Sequence, residues 1–353
     1  MKTATLTQER LSELLAQFPT CRIAVVGDFF LDKYLEIEPA WEEISLETGK
    51  PAHQVSAIRT SPGEAGTVVA NLHALGAGEI HAVGFTGDDG EGFELRRDLQ
   101  QLGCRIDQLQ ILGDRFTPTY LKPCNLTQPG LEGEHSRYDT KNRLPTSPAV
   151  EDRVIQSIEQ LATSVDAVIA LDQVEEKDCG VVTKKVRDAI SKLALQFPHV
   201  CFWADSRRNI RRFRHVFIKP NQLEALEMES LESVSLEIDQ LLQPIRAISR
   251  TNLGPVFLTR GQEGLVVVDG EEEAVSIPGV CLEGPTDPTG AGDSMTAGCV
   301  LSLCSGASKA EAAIIGNLVA SLTVQQLATT GTAASHQLSE RLELWLSQTT
   351  SSP

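Results

Sequence analysis

The fold is indicated by residues 166–206, DAVIALDQVEEKDCGVVTKKVRDAISKLALQFPHVCFWADS. Residues 168–171 and 200–203 are short apolar runs, typical of strands that are buried on both faces. A helical pattern begins after Glu175 and ends before Pro198, since a proline favours a helix end just before it. Because a strand, a helix and a second strand follow one another, this segment predicts one unit of a parallel sheet.

Further apolar runs of the same kind lie on both sides of this unit, at residues 23–26, 216–218, 256–258 and 265–268. A helix is predicted at residues 148–162, where Ser147 can cap the helix and a proline occupies the first turn. The alternation predicts an α/β fold in which helices cover both faces of a central, mostly parallel sheet.

Two segments interrupt this alternation. Residues 34–59 are rich in glutamate and contain a strand-like run at 55–58, so they predict an inserted β lid. Residues 117–144 contain two more strand-like pieces, which either pair with the lid or extend the main sheet. Since no other boundary stands out, we expect residues 1–353 to form one domain with a small lid rather than two equal domains.

The composition limits the partners of the chain. It has 353 residues, with 31 Lys and Arg against 48 Asp and Glu, and a formal charge of −17 at pH 7. Nucleic-acid binders hold phosphates with an excess of basic residues, so this charge argues against nucleic acid as a partner. No window of the sequence approaches the roughly 20 apolar residues that a membrane-spanning helix needs. We therefore expect a cytoplasmic protein with neither nucleic-acid nor membrane partners.

Polar or glycine residues follow five of the predicted strands. Open parallel sheets bind ligands beyond the carboxyl ends of their strands, so these residues are candidates for a site. Each alone fits an ordinary polar turn, but five such turns at one edge favour a binding cleft. The residues in question are Gly27 with Asp28, Asp172, Asp205, Asn221, and Thr259 with Arg260 and Gly261.

The most specific motif is Asp-Pro-Thr-Gly-Ala-Gly-Asp-Ser at residues 287–294, followed by a stretch of small apolar residues that predicts a buried helix. Gly290 and Gly292 permit a tight turn, and the following helix supplies unpaired N–H groups and the positive end of its dipole. Asp293 is placed where a carboxylate can accept the proton of an attacking hydroxyl beside a transferring phosphoryl group. The alternative is an ordinary helix start with an aspartate in its first turn.

These stretches resemble the ribokinase-like (pfkB) carbohydrate kinases, and the resemblance covers nearly the whole chain. The opening residues are also similar to the kinase domain of bacterial heptose kinases. The matching stretches are residues 25–32 (VVGDFFLD), 63–76 (GEAGTVVANLHALG), Pro220-Asn221 with Glu224, Thr259-Arg260-Gly261 with Gly264, and residues 287–294.

The resemblance implies a site for ATP, Mg²⁺ and a small sugar. Asp293 would be the general base, and Gly290, Ala291 and Gly292 would form an anion hole. The residues implied in substrate binding are Asp28, Asp32, Gly63, Glu64, Thr67 and Asn71. Those implied in nucleotide binding are Asn221, Thr259, Arg260, Gly261 and Asn317. Glu224 would organise Mg²⁺ together with Asn221, and Asp287 and Thr289 match positions that hold a monovalent cation such as K⁺ in several members.

Two positions depart from the pattern of the family. Glu64 stands at its second glycine, and Thr67 stands at its first asparagine. These departures leave the identity of the substrate undecided. A backbone hinge is stiffer at Glu64, and at Thr67 a hydroxyl replaces an amide that contacts sugars. Glu64 either binds a hydroxyl or an amine of the substrate, or it faces solvent.

Five arginines follow Asp205, at positions 207, 208, 211, 212 and 214. Guanidinium groups near the strand ends could neutralise the phosphates of ATP or an anionic group of the substrate. The alternative is a solvated charged face.

The sequence thus predicts an ATP-dependent carbohydrate kinase that phosphorylates a hydroxyl of a small sugar or sugar derivative. A nucleoside kinase of the same fold is one alternative, and a non-catalytic sensor of sugars or nucleotides is another. A homodimer that forms through the lid is expected, since exposed strand edges often pair with a second copy.

Overall fold

The computed structural model describes residues 2–128, 133–228, 237–327 and 329–350. In chain order the strands are β1 Lys2–Thr3, β2 Arg22–Gly27, β3 Phe29–Ile37, β4 Glu43–Ile44, β5 Pro51–Ala52, β6 Val55–Glu64, β7 Glu79–Gly87, β8 Arg105–Leu112, β9 Thr119–Asn125, β10 Tyr138–Thr140, β11 Ala167–Asp172, β12 Cys201–Ser206, β13 Phe217–Ile218, β14 Val256–Thr259, β15 Leu265–Val268 and β16 Val275–Ile277. The α-helices are α1 Gln8–Leu15, α2 Ala65–Leu75, α3 Gly90–Gln101, α4 Pro148–Leu161, α5 Lys184–Gln196, α6 Gln222–Leu226, α7 Ile238–Asn252, α8 Ala291–Cys304, α9 Lys309–Thr323 and α10 Leu338–Thr350.

The main sheet has the strand order β1-β16-β15-β14-β13-β12-β11-β2-β7-β8. Every pair from β14 to β8 is parallel, whereas β15 pairs antiparallel with both β14 and β16. Strands β2 and β11 are almost completely buried, as expected for strands that are covered on both faces. The mostly parallel sheet predicted from the apolar runs is therefore confirmed.

Two apolar cores lie on opposite faces of this sheet. One contains Leu72 of α2, Val300 of α8 and Ile314 of α9. The other contains Val154 of α4 and Ile190 of α5. The predicted α/β arrangement of helices on both faces of the sheet is confirmed by these two layers.

A second sheet has the order β10-β9-β3-β6. Its strand β3 is antiparallel to β6 and parallel to β9. The two interrupting segments of the sequence thus contribute neighbouring strands of one sheet, which begins at Phe29, five residues before the predicted boundary. We call this four-stranded sheet the lid.

The carboxyl ends of the parallel strands meet at one edge of the main sheet. The register places Leu171 beside Gly27 and Asp172 beside Ser206, and an isolated bridge joins Asn221 to Thr259. The polar residues that follow these strands are brought together because all five strands run in the same direction.

Within the part of the chain that the structure describes, the helices are too short or too polar to cross a bilayer.

Candidate active site

Helix α8 begins with a glycine in the left-handed conformation. Gly290 is the N-cap, with φ +74°, and no side chain caps this end of the helix. A residue with a β-carbon is strained at this φ, so glycine suits the turn. The N–H groups of the first turn have no partner inside the helix. That of Ala291 donates to the Pro288 carbonyl at 3.1 Å, so Gly290 and Gly292 are the members of the predicted anion hole that line the cleft and suit an anion. The rest of α8, residues 294–302, is buried, which fixes the direction of these donors.

Asp293 lies in the first turn of α8 and lines an open cleft of about 830 Å³. The cleft also receives residues from the base of the lid and from the strand ends of the main sheet. Those that share it with Asp293 are Glu64, Asp205, Lys219, Asn221, Glu224, Gly290 and Gly292. The structure therefore brings the predicted base, two residues of the predicted anion hole and the Asn221 element into one cavity.

Lys219 is a buried cation beneath the start of α8. Its ammonium lies 2.7 Å from the carboxylate of Asp205, and both side chains are less than a tenth exposed. A β-carbon at Gly292 would lie 3.0 Å from the Lys219 nitrogen, so the bare glycine backbone lets the ammonium approach the helix start. Burial opposes the charge of Lys219, but Asp205, Glu224 and Asp293 raise its pKa, and the ammonium stays protonated.

The pKa of Asp293 is raised well above the usual range of an aspartate. Burial is the main cause, and the carboxylates of Glu64 and Asp205 add to it, while Lys219 and Arg207 oppose it. A carboxylate with a raised pKa is a stronger proton acceptor, which suits a general base that works near neutral pH.

Glu64 is the N-cap of α2, in a strained conformation with φ +52° and ψ −112°. Its carboxylate lies 2.8 Å from the Arg207 guanidinium, and its side chain is 11% exposed. Burial raises the pKa of Glu64, and the Arg207 charge opposes the shift. The alternative in which Glu64 faces solvent does not agree with this geometry. A strained residue that persists because its surroundings hold it is a common feature of functional sites.

Three of the five clustered arginines line the cleft, namely Arg207, Arg208 and Arg211. Arg214 instead donates to the backbone carbonyls of Arg211 and Phe213. Part of the cluster therefore lines the cleft and part of it bonds to its own turn. The prediction of a purely solvated charged face agrees with only part of this arrangement.

Asn221 and Glu224 form the reciprocal capping box of α6. The Asn221 side-chain oxygen accepts the Glu224 N–H at 2.9 Å, and the Glu224 carboxylate accepts the Asn221 N–H at 2.8 Å. Burial, together with the nearby charge of Asp205, raises the pKa of Glu224 to about 7, and Lys219 opposes this rise. Both residues face the cleft, so the capping box also positions their polar atoms towards a ligand.

The other predicted nucleotide-binding residues lie behind Asn221 rather than in the cleft. The Thr259 N–H donates to the Pro220 carbonyl at 2.9 Å, and Arg260, at the turn before Gly261, forms an ion pair with Glu263. The Asn317 amide, 8% exposed, donates to the Pro278 carbonyl at 3.0 Å. The nucleotide contacts expected of Thr259, Arg260, Gly261 and Asn317 remain predictions.

Asp28 is held by backbone N–H groups. Its carboxylate accepts backbone N–H groups of Gln173, Val174 and Val181, at 3.0, 3.1 and 2.7 Å. Burial raises its pKa to about 7, and Asp172 adds to the shift while the N–H groups oppose it. Asp28 thus anchors the segment after β11. It also lines a small cavity with Phe30 and Tyr120 of the lid, so its expected contact with a sugar stays a prediction.

Asp32 lies on the lid and forms a buried pair with Lys122. The two charged groups are 2.9 Å apart, and the Lys122 ammonium also lies 3.3 Å from the Tyr34 hydroxyl. The pairing follows from the parallel register of β3 and β9, which places Asp32 opposite Tyr120 and Tyr34 opposite Lys122. Lys122 is thus brought to the predicted sugar-binding carboxylate by the sheet.

The remaining predicted substrate residues lie at the junction of β6 and α2. Gly63 pairs with Phe30 of the lid. Thr67 is 2% exposed, and its methyl group would be 3.3 Å from a β-carbon on Gly290. Asn71 is fully buried and donates to the Thr67 and Gly331 carbonyls. Asn71 therefore joins α2 to the non-helical segment at Gly331, and its expected contact with substrate stays a prediction.

Asp287 and Thr289 line a separate cavity of about 460 Å³ beneath the lid, together with Tyr34 and Lys122. The Asp287 carboxylate accepts the Thr289 N–H at 3.0 Å. The motif at 287–294 thus has two sides, since Gly290, Gly292 and Asp293 face the larger cleft.

A model of the pfkB family carbohydrate kinases matches residues 37–335. The chain belongs to this family. It is 28% identical over 331 residues to the Bifunctional protein HldE of Shewanella baltica, which covers 94% of this chain and 65% of that protein. The chain thus spans less than two thirds of that relative's length. The relation to bacterial heptose kinases expected from the opening residues is consistent with this match.

Solved structures share the fold of this pfkB family chain at low identity. Arabidopsis thaliana ribokinase, solved in complex with ribose and ATP, has a TM-score of 0.66 and 18% identity, and the match covers 92% of this chain and 99% of that one. Phosphofructokinase-2 from Escherichia coli, solved with substrates and products, has a TM-score of 0.67 and 16% identity, with 93% and 99% coverage. The ribokinase-like fold that the sequence predicts is confirmed.

Sequence reasoning missed two cations of this pfkB family chain, Lys219 and Lys122. Lys219 directly precedes Pro220-Asn221, so its position beside a recognised motif was an available signal. Lys122 has no comparable signal, because its approach to Asp32 depends on the pairing of β3 with β9.

Proposed function

We propose that the chain transfers the γ-phosphoryl group of ATP to a hydroxyl of a small sugar or sugar derivative. The observation that carries this proposal is the position of Asp293, whose carboxylate faces the cleft at the uncapped start of α8, beside the buried ammonium of Lys219.

In this mechanism, Asp293 accepts the proton of the acceptor hydroxyl as its oxygen attacks the γ-phosphorus. A new oxygen–phosphorus bond forms, the bond between the γ-phosphorus and the bridging oxygen breaks, and ADP leaves with the electron pair. The N–H groups of Gly290 and Gly292 and the Lys219 ammonium would face the phosphoryl oxygens on which negative charge is concentrated, whereas the Ala291 N–H is already bonded to the Pro288 carbonyl. Preorganised donors of this kind are often the largest source of catalysis.

The acceptor would lie between Asp293 and the lid. Glu64 and Asp32 are the carboxylates on that side, and carboxylates suit hydrogen bonds from sugar hydroxyls. The lid would also keep water away from the phosphoryl group, because water competes with the sugar as an acceptor. These roles are proposed from position alone.

The donor set of the cleft fits Mg²⁺. Glu224 and Asp205 are neighbouring carboxylates whose repulsion raises the pKa of Glu224, and a cation would relieve that repulsion. Among the described residues no group of three or more His, Cys, Asp or Glu side chains could hold a metal by itself. Mg²⁺ is usually held by one or two carboxylates, waters and phosphates, so Glu224 and Asn221 are sufficient protein partners. Bound with the nucleotide, it would neutralise charge on the phosphate oxygens.

Two further expectations are proposals of the same kind. A monovalent cation such as K⁺ would lie near Asp287 and Thr289, and a homodimer would form through the lid. The edge strands of the lid are β6 and β10, and Ile58 of β6 is 60% exposed. Ultracentrifugation of the wild type and of an Ile58→Lys variant tests the dimer, since a charge on this edge should disrupt pairing.

The decisive experiment is an ADP-release assay with MgATP and a panel of sugars, sugar phosphates and nucleosides, with Asp293→Asn as the inactive control. Release that depends on a sugar or sugar phosphate and is lost in the variant is the expected result. Release with nucleosides alone would favour a nucleoside kinase. Binding of panel compounds with no ADP release would favour a sensor and contradict the proposal.

A further inference from the structure

Three arginines in one turn face the cleft, although the chain carries a net charge of −17. The turn follows β12 and contains Arg207, Arg208 and Arg211. These arginines line the same cavity as Asn221 and Asp293. Six carboxylates also line the cleft, with these three arginines and Lys219 as its four cations, so the arginines supply most of the positive charge with which the cleft can hold an anion.

Each of the three arginines is held by a glutamate from a different segment. Arg207 lies 2.8 Å from Glu64 at the start of α2, and Arg208 lies 2.8 Å from Glu175 in the segment after β11. Arg211 lies 3.0 Å from Glu227, directly after α6. The three glutamates line the same cleft as the arginines, so each ion pair lies at the cavity surface.

The arginines of these ion pairs are open to water. The arginine side chains are 45%, 60% and 43% exposed, in the order of their numbers. Ion pairs that are open to water contribute little stability, because solvent screens them and side-chain freedom is lost. A phosphate group offers more charge than a carboxylate and accepts the same bidentate hydrogen bonds, so it competes well for such arginines.

We propose that Arg207, Arg208 and Arg211 form a phosphate-binding site, in which each guanidinium exchanges its glutamate for phosphate oxygens of the ligand. The inference rests on the proposed function for the source of the phosphate, which is either the triphosphate of the nucleotide or a phosphate group on the acceptor. Glu175 and Glu227 act as competing partners that keep the arginines extended over the cleft when no ligand is bound.

Isothermal titration calorimetry on the full chain tests this site with MgADP, inorganic pyrophosphate, fructose 6-phosphate and fructose as probes. The variant Arg207→Gln/Arg208→Gln/Arg211→Gln should weaken the binding of the phosphate probes by about tenfold or more, because hydrogen bonds to charged groups are strong. The matched control is Arg212→Gln, which removes one charge from the same turn but not from the residues that line the cleft.

A second variant tests the exchange of partners. Glu175→Gln releases Arg208 from its carboxylate, so it should tighten the binding of the phosphate probes. Glu176→Gln is the matched control, since Glu176 pairs with Arg143 instead. Tighter phosphate binding by Glu175→Gln but not by Glu176→Gln supports the exchange, even if the triple variant folds poorly. Equal tightening by Glu175→Gln and Glu176→Gln would show that only the net charge matters, and would overturn the proposal.

The probes separate the two sources. Weakened MgADP and pyrophosphate binding assigns the site to the nucleotide, and a loss that affects fructose 6-phosphate but not fructose assigns it to the acceptor. Unchanged binding of all phosphate probes, or no binding by the wild type, overturns the site. Failure of the proposed function is recognised separately, as binding without any ADP release from MgATP.

Discussion

Helices α2 and α8 both begin at the cleft with a residue of positive φ and without a side-chain cap, but they use opposite residues. Gly290 begins α8 at φ +74°, and Glu64 begins α2 at φ +52°. The two starts are neighbours, because the Thr67 methyl group in the first turn of α2 would be 3.3 Å from a β-carbon on Gly290.

The difference shows two ways of building one site. Glycine adopts the turn without strain and leaves the backbone donors of α8 open to a phosphoryl group. Glutamate adopts a strained turn, which costs roughly 1–3 kcal/mol, and places a carboxylate beside Asp293. In our proposal the start of α8 binds the transferring phosphoryl group, and the start of α2 adapts the cleft to the acceptor of this chain.

The largest effect is expected at the start of α8. Asp293→Ala should lower kcat by a factor on the order of 10² to 10⁴, with little change in ADP affinity, since a base acts mainly in the transition state. Steady-state kinetics and calorimetry on the same preparation measure both quantities. Unchanged turnover would remove Asp293 from the role of base.

Lys219→Met should lower kcat by about 10²-fold, as expected when one preorganised charge partner of the phosphoryl group is lost. It should also lower the free energy of unfolding by about 3–5 kcal/mol, because Asp205 would remain buried without its partner.

The control for Lys219 is the double variant Lys219→Met/Asp205→Asn, which removes both charges. Denaturant unfolding should show stability largely restored, while kcat stays low. Recovery of activity along with stability would mean that Lys219 is only structural.

Gly290→Ala should lower the free energy of unfolding by about 1–2 kcal/mol, since a β-carbon is unfavourable in the left-handed conformation. Gly306→Ala is a matched control, because Gly306 also has positive φ, at +85°, and lies just beyond the far end of α8 in open space. Both variants should lose similar stability in thermal or denaturant unfolding, but only Gly290→Ala should lose turnover. Equal kcat values in the two variants would contradict the anion hole.

The smallest effect concerns the start of α2. A general base must be deprotonated, so kcat should fall as the pH falls through the raised pKa of Asp293. Glu64→Gln removes a negative charge that raises this pKa, so the acidic limb of the kcat profile should move to lower pH. A limb that moves to higher pH, or does not move, would show that Glu64 does not act on Asp293.

Local patterns were sufficient to predict six of the ten strands of the main sheet and the start of α8, whereas β1, β7, β8 and β16 were missed. The apolar run at 168–171 and the Gly-Ala-Gly-Asp string need only their own neighbours in sequence to define a strand and a turn. The parallel order of the strands then places their polar ends together.

Contacts between distant segments could not be predicted. The approach of Lys219 to Gly292 depends on how β13 and α8 are placed across the core, and the Lys122–Asp32 pair depends on the register of β3 with β9. The backbone partners of Asp28 likewise come from residues 173–181, about 150 positions later in the chain. These contacts give several predicted site residues structural partners as well, because a side chain's partners are decided by topology as much as by its own type.

One residue joins the core to the lid. Strand β2 ends at Gly27 and β3 starts at Phe29, so Asp28 alone separates them. The carboxylate of Asp28 holds the backbone of Gln173, and the Gln173 side chain accepts a hydrogen bond from Arg207 at 2.8 Å. The lid and the arginine turn are therefore connected twice, through Asp28 with Gln173 and through the direct pair of Glu64 with Arg207, so a displacement of one would be felt by the other along both routes.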